Sequence, residues 1–182
     1  KTFCAKEAAR GIAYACGRPD LAPCYSAPTG VAASLHEGGR TTNITFSLPM
    51  TEKDDSLADL LSADELSPVR IAAIRRYVGD AHVLCIDEVS FLQVAYLAIV
   101  NRNLQLAFND TRPFAGKHVI LFGDNCQLPP VAGLALYKAL VRFSARSPAN
   151  PSSSRKNGEH GAYLFSLFKR ITLLGQMRSR DE

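Results

Sequence analysis

Residues 82–90, HVLCIDEVS, contain an apolar run of strand length that ends at two adjacent acidic residues, Asp87 and Glu88. The run has strand length and is apolar almost throughout, which is typical of a parallel strand buried on both faces. Acidic side chains after such a strand lie at the carboxyl edge of the sheet, where open α/β folds bind their ligands. Two carboxylates there suit nucleotide hydrolysis, because one can hold Mg²⁺ and the other can accept a proton from water. The alternative is that both acids are solvated charges that favour the start of the next helix.

Three further apolar runs of strand length occur along the chain, at 22–27, 118–123 and 170–174. The stretches between the strands have helical spacing. Alternating strands and helices predict an α/β fold with a mostly parallel sheet flanked by helices. The helices are predicted from Thr2 to about Cys16, through Leu66, Ile71, Ile74 and Val78, and through Leu92, Tyr96, Ile99 and Leu106.

Two segments interrupt this alternation. Residues 144–161 are rich in Ser, Pro and Asn and are predicted to form an exposed or disordered loop insertion. Residues 36–55 mix Gly, Thr and polar residues, and they predict an irregular surface excursion. We find no internal repeat.

The composition is that of an ordinary globular domain. The chain has 182 residues, of which 47% are hydrophobic and 21% charged, which excludes wholesale disorder, a collagen-like chain and a disulfide scaffold. No apolar run approaches the roughly 18 residues that cross a membrane, so no membrane partner is expected. The cysteines are odd in number and contain no C-x-x-C pair, so we expect them to be reduced and mostly buried: Cys4, Cys16, Cys24, Cys85 and Cys126.

The charge is unevenly distributed along the chain. Residues 1–90 carry 9 basic and 12 acidic side chains, whereas residues 91–182 carry 12 basic and 5 acidic ones. A basic half permits a polyanionic partner, although such a charge distribution is also that of a solvated surface.

Three other polar segments come directly after apolar runs. The run 118–123 is followed by DNCQLPPV, in which Gln127 would lie beside the carboxylates and orient a water or sense a phosphate. The run 22–27 leads into a turn with Thr29 and Gly30, and then into GGRT with Arg40 and Thr41, whose donors suit phosphates and sugars. Arg178 comes after the run 170–174, and a guanidinium matches phosphate geometry.

Taken in order, these segments resemble the Pif-one-type helicases, the RecD-like branch of superfamily one, including Helitron-type and viral relatives. APTGVAASLHEGGRTTNITFSLP resembles motif Ia, VLCIDEVSFL motif II or Walker B, LFGDNCQLPPV motif III, and LLGQMRSRDE motif IV. Phe114-Ala115-Gly116 is similar to the family's Phe-Gly-Gly. The resemblance implies a RecA-like P-loop NTPase fold and an ATP-dependent DNA helicase that translocates from five-prime to three-prime on single-stranded DNA.

The resemblance also implies roles for individual residues. Lys1 and Thr2 would end Walker A, with Lys1 binding phosphate and Thr2 and Asp87 holding Mg²⁺. Glu88 would activate water, Gln127 would couple phosphate state to the DNA site, and Arg178 would reach the γ-phosphate. The DNA-binding set would be Pro28, Thr29, Gly30, Arg40, Thr41, Asn43 and Phe46. Phe46 would stack on a base, or it is a core residue.

The resemblance has departures and gaps. Asn43 stands where the family usually has His, and Ala115 where it has Gly. The Walker A glycines, the strand before them and the second RecA-like domain are absent, so we expect residues 1–182 to be the first motor domain, cut at both ends and inactive alone. Duplex or forked DNA and the second domain are the expected partners, in DNA repair, recombination, replication or telomere maintenance.

Other interpretations of the same residues stay open. The chain could be a P-loop nucleotide kinase or a non-translocating ATPase, whose activity would not respond to single-stranded DNA. It could also be a degenerate transposon-derived module that binds nucleic acid without any effect of nucleotide. We expect an intracellular location, the nucleus first, with a mitochondrial, cytoplasmic or viral origin left open.

Overall fold

The computed structural model describes residues 2–48, 66–124, 127–130, 133–143 and 153–173. The strands are β1 Cys24–Ala27, β2 Arg40–Thr41, β3 Val83–Ile86 and β4 His118–Leu121. The helices are α1 Thr2–Ala15, α2 Gly30–Ser34, α3 Thr42–Phe46, α4 Pro68–Val78, α5 Val94–Phe108, α6 Leu136–Phe143 and α7 Ser153–Ser166. Short 3₁₀ turns occur at Val89–Phe91 and Pro113–Gly116.

In the described part of the chain, these strands form one parallel sheet in the order β2-β1-β3-β4. Three of the predicted strands, 22–27, 82–87 and 118–123, are confirmed as β1, β3 and β4. Parallel strands need crossover connections, and here α4 lies between β2 and β3, and α5 between β3 and β4. The predicted α/β class, a parallel sheet flanked by helices, is therefore confirmed.

Strand β3 separates two apolar layers, because its successive side chains point to opposite faces. Val83 and Cys85 pack with Ala9 and Ala13 of α1. Leu84 and Ile86 belong to the larger cluster on the other face, which includes residues of α3, α4, α5, α6 and α7. Both faces of β3 are buried, as its apolar sequence predicts.

Local sequence signals set both ends of helix α4. Ser67 caps its first turn by accepting a hydrogen bond from the Arg70 N–H, and Pro68 occupies the first helical position, where no N–H is needed. Gly79 ends the helix with a φ of +53°. These signals deliver the chain to β3 after a short turn.

The prediction of a strand at 170–174 is wrong for residues 170–173, which the structure describes. Residues 170–173 adopt no strand conformation, and Ile171 and Leu173 are 85% and 59% exposed. Branched apolar residues favour a strand only where a neighbouring strand edge accepts their hydrogen bonds. Leu174 lies outside the described residues.

The expected exposed loop at 144–161 is also wrong where the structure describes it. Residues 153–161 belong to α7, whereas 144–152 lie outside the described residues. Ala162 and Leu164 of α7 are buried in the main core, and Gly161 lies against the Val94 carbonyl of α5. Packing of this face outweighs the low helix propensity of the Ser, Asn and Gly residues.

Replacing Gly161 by Ala tests this packing. A Cβ at this position would lie 2.0 Å from the Val94 carbonyl oxygen, so one helix must move. We expect Gly161→Ala to lower the free energy of unfolding by about 1–3 kcal/mol in urea denaturation. Gly11→Ala in α1 is the matched control: a Cβ there meets nothing within 4 Å, and the change should stabilise by up to about 1 kcal/mol. A Gly161→Ala variant at least as stable as the unaltered chain would contradict the close approach.

The expected surface excursion at 36–55 contains ordered structure. Arg40 and Thr41 pair with Ser26 and Ala27 of β1, and α3 begins directly after them. The side chains of Thr42, Thr45 and Phe46 in α3 are buried, so this part of the prediction is wrong. Residues 49–55 lie outside the described residues.

The four described cysteines are free, as expected, but they are not mostly buried. Cys85 is buried and Cys24 partly buried, whereas Cys4 and Cys16 are exposed. Cysteine is often buried, but only where its position in the helix faces the core. Cys4 lies on the outer face of α1, and Cys16 comes just after the end of this helix. None of the helices described is long and apolar enough to cross a bilayer.

Candidate functional site

The ends of three strands meet at one edge of the sheet. Ile86 of β3 lies in register with Ser26 of β1 and with Leu121 of β4. The pairing continues one residue further, since the Asp87 N–H donates to the Ser26 carbonyl and the Phe122 N–H donates to the Ile86 carbonyl, both at 2.8 Å. The segments after β1, β3 and β4 therefore leave the sheet side by side at its carboxyl edge.

Helix α1 begins on the same side of the sheet. Just past its end, Cys16 Sγ lies 3.1 Å from Nε2 of His118, the first residue of β4, and Arg18 contacts His82 just before β3. The end of α1 is therefore at the amino edge. Because a helix of 14 residues spans about 21 Å, its first turn lies toward the carboxyl edge. Thr2 begins this helix; its side chain and all of Lys1 lie outside the described part of the chain, so their predicted roles stay predictions.

Asp87 is a buried carboxylate with defined partners. It is 3% exposed, and its Oδ1 accepts a hydrogen bond from the Glu88 N–H at 2.7 Å. Its Oδ2 lies 3.2 Å from Nε2 of His36, which is also 3% exposed. A buried carboxylate is stable only when it is paired and hydrogen-bonded, and these contacts satisfy that requirement.

Glu88 has an unusual backbone conformation. Its φ and ψ of 52° and 41° lie in the left-handed region, which costs roughly 1–2 kcal/mol for a residue with a Cβ. The turn Val89–Phe91 comes next, and the Val89 N–H donates to the Phe122 carbonyl at 2.8 Å. Strained backbone of this kind is found at functional sites, and here it places the partly exposed Glu88 at the edge beside the buried Asp87.

The loops after β3 and β4 lie in close contact. A Cβ at Gly123 would lie 2.4 Å from Cγ1 of Val89, so any larger residue would force one of the two loops to shift. After Gly123, the Gln127 N–H donates to the Asp124 carbonyl at 3.0 Å, and the Gln127 side chain is exposed. Gln127 thus follows the segment whose Gly123 packs on Val89, and its position relative to the carboxylates and its coupling role stay predictions. Arg178 lies outside the described residues.

The predicted DNA-binding residues lie after β1 and around β2, and several have structural tasks. Thr29 Oγ1 caps α2 by accepting from the Ala32 N–H at 3.2 Å, and Thr41 Oγ1 caps α3 by accepting from the Ile44 N–H at 3.4 Å. Arg40 is exposed, with its guanidinium carbon 4.7 Å from the centre of the Tyr77 ring. Gly30 is exposed, and Pro28 and Asn43 are partly buried.

Phe46 is the exception among these residues. Its side chain is 1% exposed within the main core, and its carbonyl accepts a hydrogen bond from Asn103 Nδ2 at 2.8 Å. A buried ring has no free face for a base. The expectation that Phe46 stacks on DNA is wrong, and the alternative, a core residue, is confirmed.

The contact between His36 and Asp87 was missed by sequence reasoning. The two residues are 51 positions apart, and although His36 lies inside the segment that resembles motif Ia, no role was expected for it there. The available signal was the polar pair His36-Glu37 between Leu35 and Gly38-Gly39, but only the folded sheet brings His36 to the carboxylate.

Two cysteines of the sheet strands, Cys24 in β1 and Cys85 in β3, are poor nucleophiles. Burial raises the pKa of the Cys85 thiol to about 12, with smaller contributions from Cys24 and Asp87, and burial raises the pKa of Cys24 to about 11. Both therefore stay protonated at neutral pH. The carboxylates, and not a thiolate, are the reactive groups that these residues offer.

The donor set at the edge fits Mg²⁺ better than a metal that needs a protein cage. Among the residues described, no cluster of three or more His, Cys, Asp or Glu side chains could hold a metal ion. Mg²⁺ prefers oxygen ligands and is usually bound by one or two carboxylates, waters and substrate phosphates. Asp87 provides such a carboxylate.

Comparison with known proteins identifies a family whose model covers most of the chain. Residues 21–152 match the model of the PIF1-like helicase family. The ATP-dependent DNA helicase Pif1 of Psychrobacter sp. (strain PRwf-1) is 31% identical over 106 residues, which are 58% of this chain and 15% of that protein. The chain thus spans about a seventh of the length of this curated relative.

Solved Pif1 structures are also similar. Pif1 helicases described as unwinding forked double-stranded DNA match at 27% identity, covering 74% of this chain and 31% of theirs, with a TM-score of 0.48. Bacteroides Pif1 in complex with ADP-AlF3 and single-stranded DNA matches at 30% identity, covering 66% of this chain and 26% of its own, with a TM-score of 0.47. These scores are below 0.5, so the family assignment rests on the family model.

Proposed function

The chain belongs to the PIF1-like helicase family, and on this premise we propose that it is the first RecA-like motor domain of an ATP-dependent DNA helicase. The motor would couple ATP hydrolysis to five-prime to three-prime movement on single-stranded DNA and to duplex unwinding. We propose that the chain is part of a longer protein, called the parent protein below. The parent protein would supply the second RecA-like domain. The match covers only 15% of the curated relative, and this supports the division.

The observation that carries the proposal is the position of Asp87 and Glu88. Both lie at the carboxyl edge of a parallel sheet, on the side where α1 begins, and helix starts favour phosphate. We assign phosphate binding to Lys1 and the γ-phosphate contact to Arg178. Asp87 and the Thr2 hydroxyl would hold Mg²⁺, which when bound neutralises charge on the phosphate oxygens.

Glu88 and Gln127 would act on the attacking water. Glu88, partly exposed and held by its strained backbone, would accept a proton from that water. Gln127, in the adjacent loop, would orient the water and change position with the phosphate state. Catalysis of this kind is mainly positioning and charge stabilisation. This suits a site in which the loops after β3 and β4 pack closely at Gly123 and the Asp87 carboxylate is buried.

Single-stranded DNA is the proposed track, with duplex or forked DNA as the substrate that is unwound. Support comes from Arg40, exposed at the outer strand β2, and from Pro28, Thr29, Gly30, Thr41 and Asn43 around it. Phe46 takes no part. We further propose that the protein acts inside the cell, the nucleus being the first place to look.

Measuring how nucleotide and DNA affect each other separates this proposal from its alternatives. Binding of a labelled oligothymidine to the parent protein is followed by fluorescence anisotropy with ADP, with ADP and aluminium fluoride, and without nucleotide, and hydrolysis is measured with and without the strand. We expect nucleotide state to change DNA affinity, and DNA to stimulate hydrolysis. Hydrolysis indifferent to DNA would indicate a non-translocating ATPase or kinase; DNA binding indifferent to nucleotide would indicate a degenerate binding module.

The same assay tests Arg40. Replacing Arg40 by Gln should weaken oligothymidine binding and reduce the slope of log affinity against log salt by roughly 0.7, the value for one phosphate contact on a single strand. Arg10→Gln is the matched control, since Arg10 is an exposed arginine on α1 paired with Glu7. An unchanged salt slope in Arg40→Gln would remove Arg40 from the DNA surface.

A further inference from the structure

We propose that His36 is a positioning residue for Asp87: the His36 ring donates a hydrogen bond to Oδ2 and holds the carboxylate in the orientation that binds the nucleotide's Mg²⁺. This inference rests on the proposed function and concerns the same site. It adds a residue that lies in the chain before β2, in the turn between α2 and Arg40.

The hydrogen bonds fix both carboxylate oxygens of Asp87. An ionised carboxylate only accepts, so Nε2 of His36 carries the hydrogen in the 3.2 Å contact to Oδ2. Oδ1 accepts from the Glu88 N–H at 2.7 Å. Each oxygen of a carboxylate can accept more than one hydrogen bond or ligand, so the contact to His36 is compatible with a role in metal binding.

Further contacts hold both the ring and the backbone of His36. The ring stacks on the Tyr25 ring of β1, with ring centres 4.7 Å apart and planes 8° from parallel. The backbone carbonyl of His36 accepts a hydrogen bond from the Gly39 N–H at 2.9 Å. A Cβ at Gly39 would lie 2.3 Å from the Ala33 carbonyl oxygen, so the glycine permits the tight turn after His36.

The burial of His36 has a cost that packing alone does not explain. Within the described residues, its Nδ1 is buried and has no hydrogen-bond partner. An apolar ring of similar size would fill the space against Tyr25 without leaving a nitrogen unpaired. The contact that an apolar ring could not make is the one to Asp87. Residues that hydrogen-bond to a metal-binding carboxylate set its orientation, and their loss typically lowers metal affinity or activity by 10-fold to 100-fold.

Three variants of the parent protein test the proposal. His36→Phe keeps the stacking on Tyr25 and removes the hydrogen bond, whereas His36→Gln keeps an N–H donor at a similar reach. His160→Phe is the matched control, because His160 also stacks near a tyrosine, Tyr163, but on α7. A fluorescent ADP analogue is titrated in EDTA and over a range of Mg²⁺ concentrations, and thermal melting of each variant monitors folding.

We expect His36→Phe to raise the Mg²⁺ concentration that half-saturates the effect on ADP binding by about tenfold or more. Affinity for ADP in EDTA should stay as in the unaltered protein, His36→Gln should recover most of the loss, and His160→Phe should show none. A merely structural role would instead lower the melting temperature and weaken ADP binding equally with and without Mg²⁺. If His36→Phe does not fold, His36→Leu is used as the variant without a hydrogen-bond donor. His36→Gln remains the variant that keeps a donor.

The two proposals fail in different ways. If the unaltered protein binds ADP with an effect of Mg²⁺ and His36→Phe behaves identically, the positioning role is overturned and the proposed function stands. The positioning role is likewise overturned if His36→Gln is as impaired as His36→Phe. If the unaltered protein shows no effect of Mg²⁺ on ADP binding, the proposed function is overturned and the role of His36 with it.

Discussion

Replacing Glu88 by Gln in the parent protein is expected to leave nucleotide binding intact and to lower the rate of hydrolysis by about 10²-fold to 10⁴-fold, the usual contribution of a positioned general base. The change removes a proton acceptor while keeping the size of the side chain. Binding survives because the proposed contacts to phosphate and Mg²⁺ come from Lys1, Thr2 and Asp87. Single-turnover hydrolysis and ADP-analogue binding measure the two effects separately.

Glu37→Gln is the matched control for this experiment. Glu37 is an exposed carboxylate in the turn next to His36, and it has no proposed role in catalysis. We expect its hydrolysis rate to stay near that of the unaltered protein. Normal turnover in Glu88→Gln, or an equal loss in both variants, would refute the assignment of Glu88 as the base.

Replacing Phe46 by Ala is expected to lower the free energy of unfolding of the chain by about 3–5 kcal/mol. The ring is 1% exposed and lies in the main core, so its removal leaves a cavity. Urea denaturation followed by circular dichroism measures the loss. Because folded domains are typically stable by only about 5–15 kcal/mol, the change removes a large part of the total.

Ile44→Ala separates burial from helix effects in the same element. Ile44 lies in α3 but is 51% exposed, and its truncation should change stability by less than about 0.5 kcal/mol. If Phe46 stacked on a base instead, Phe46→Ala would weaken DNA binding and leave stability unchanged. That combination would contradict the buried position.

The elements that sequence reasoning predicts well are those whose local pattern and tertiary surroundings agree. The apolar strand 82–87 is buried on both faces, and the helix from Thr2 has small residues, Ala9 and Ala13, that fit against it. The run at 170–174 has the same local pattern but no strand beside it among the described residues. Pairing partners, which decide whether a run becomes a strand, are not visible in a local window.

Helix α7 and Phe46 show the opposite error, in which polar surroundings hide a buried contact. Residues 153–161 have a composition typical of loops, yet Gly161 permits a close approach to α5. Phe46 lies in a polar stretch, and its burial depends on α3 packing near α4 and α5. In both cases packing against distant helices outweighs local composition.

The candidate site could be predicted where its residues come directly after a strand. Asp87 and Glu88 are recognisable because a strand ends just before them, whatever the rest of the chain does. The His36 contact could not be predicted, because it depends on the register between β1 and β3 and on a turn built by Gly38 and Gly39. The roles of Lys1 and Arg178 stay predictions, because both residues lie outside the described residues.

The central claim is that Asp87, Glu88 and the start of α1 form one nucleotide site at the carboxyl edge of the sheet. A crystal structure of the parent protein with ADP, Mg²⁺ and aluminium fluoride tests it most directly. We predict phosphates at the first turn of α1, with the Asp87 carboxylate on the metal ion or on a water bound to it. Nucleotide at the amino edge near Cys16 and His118, or phosphates out of reach of both acids, would contradict the claim.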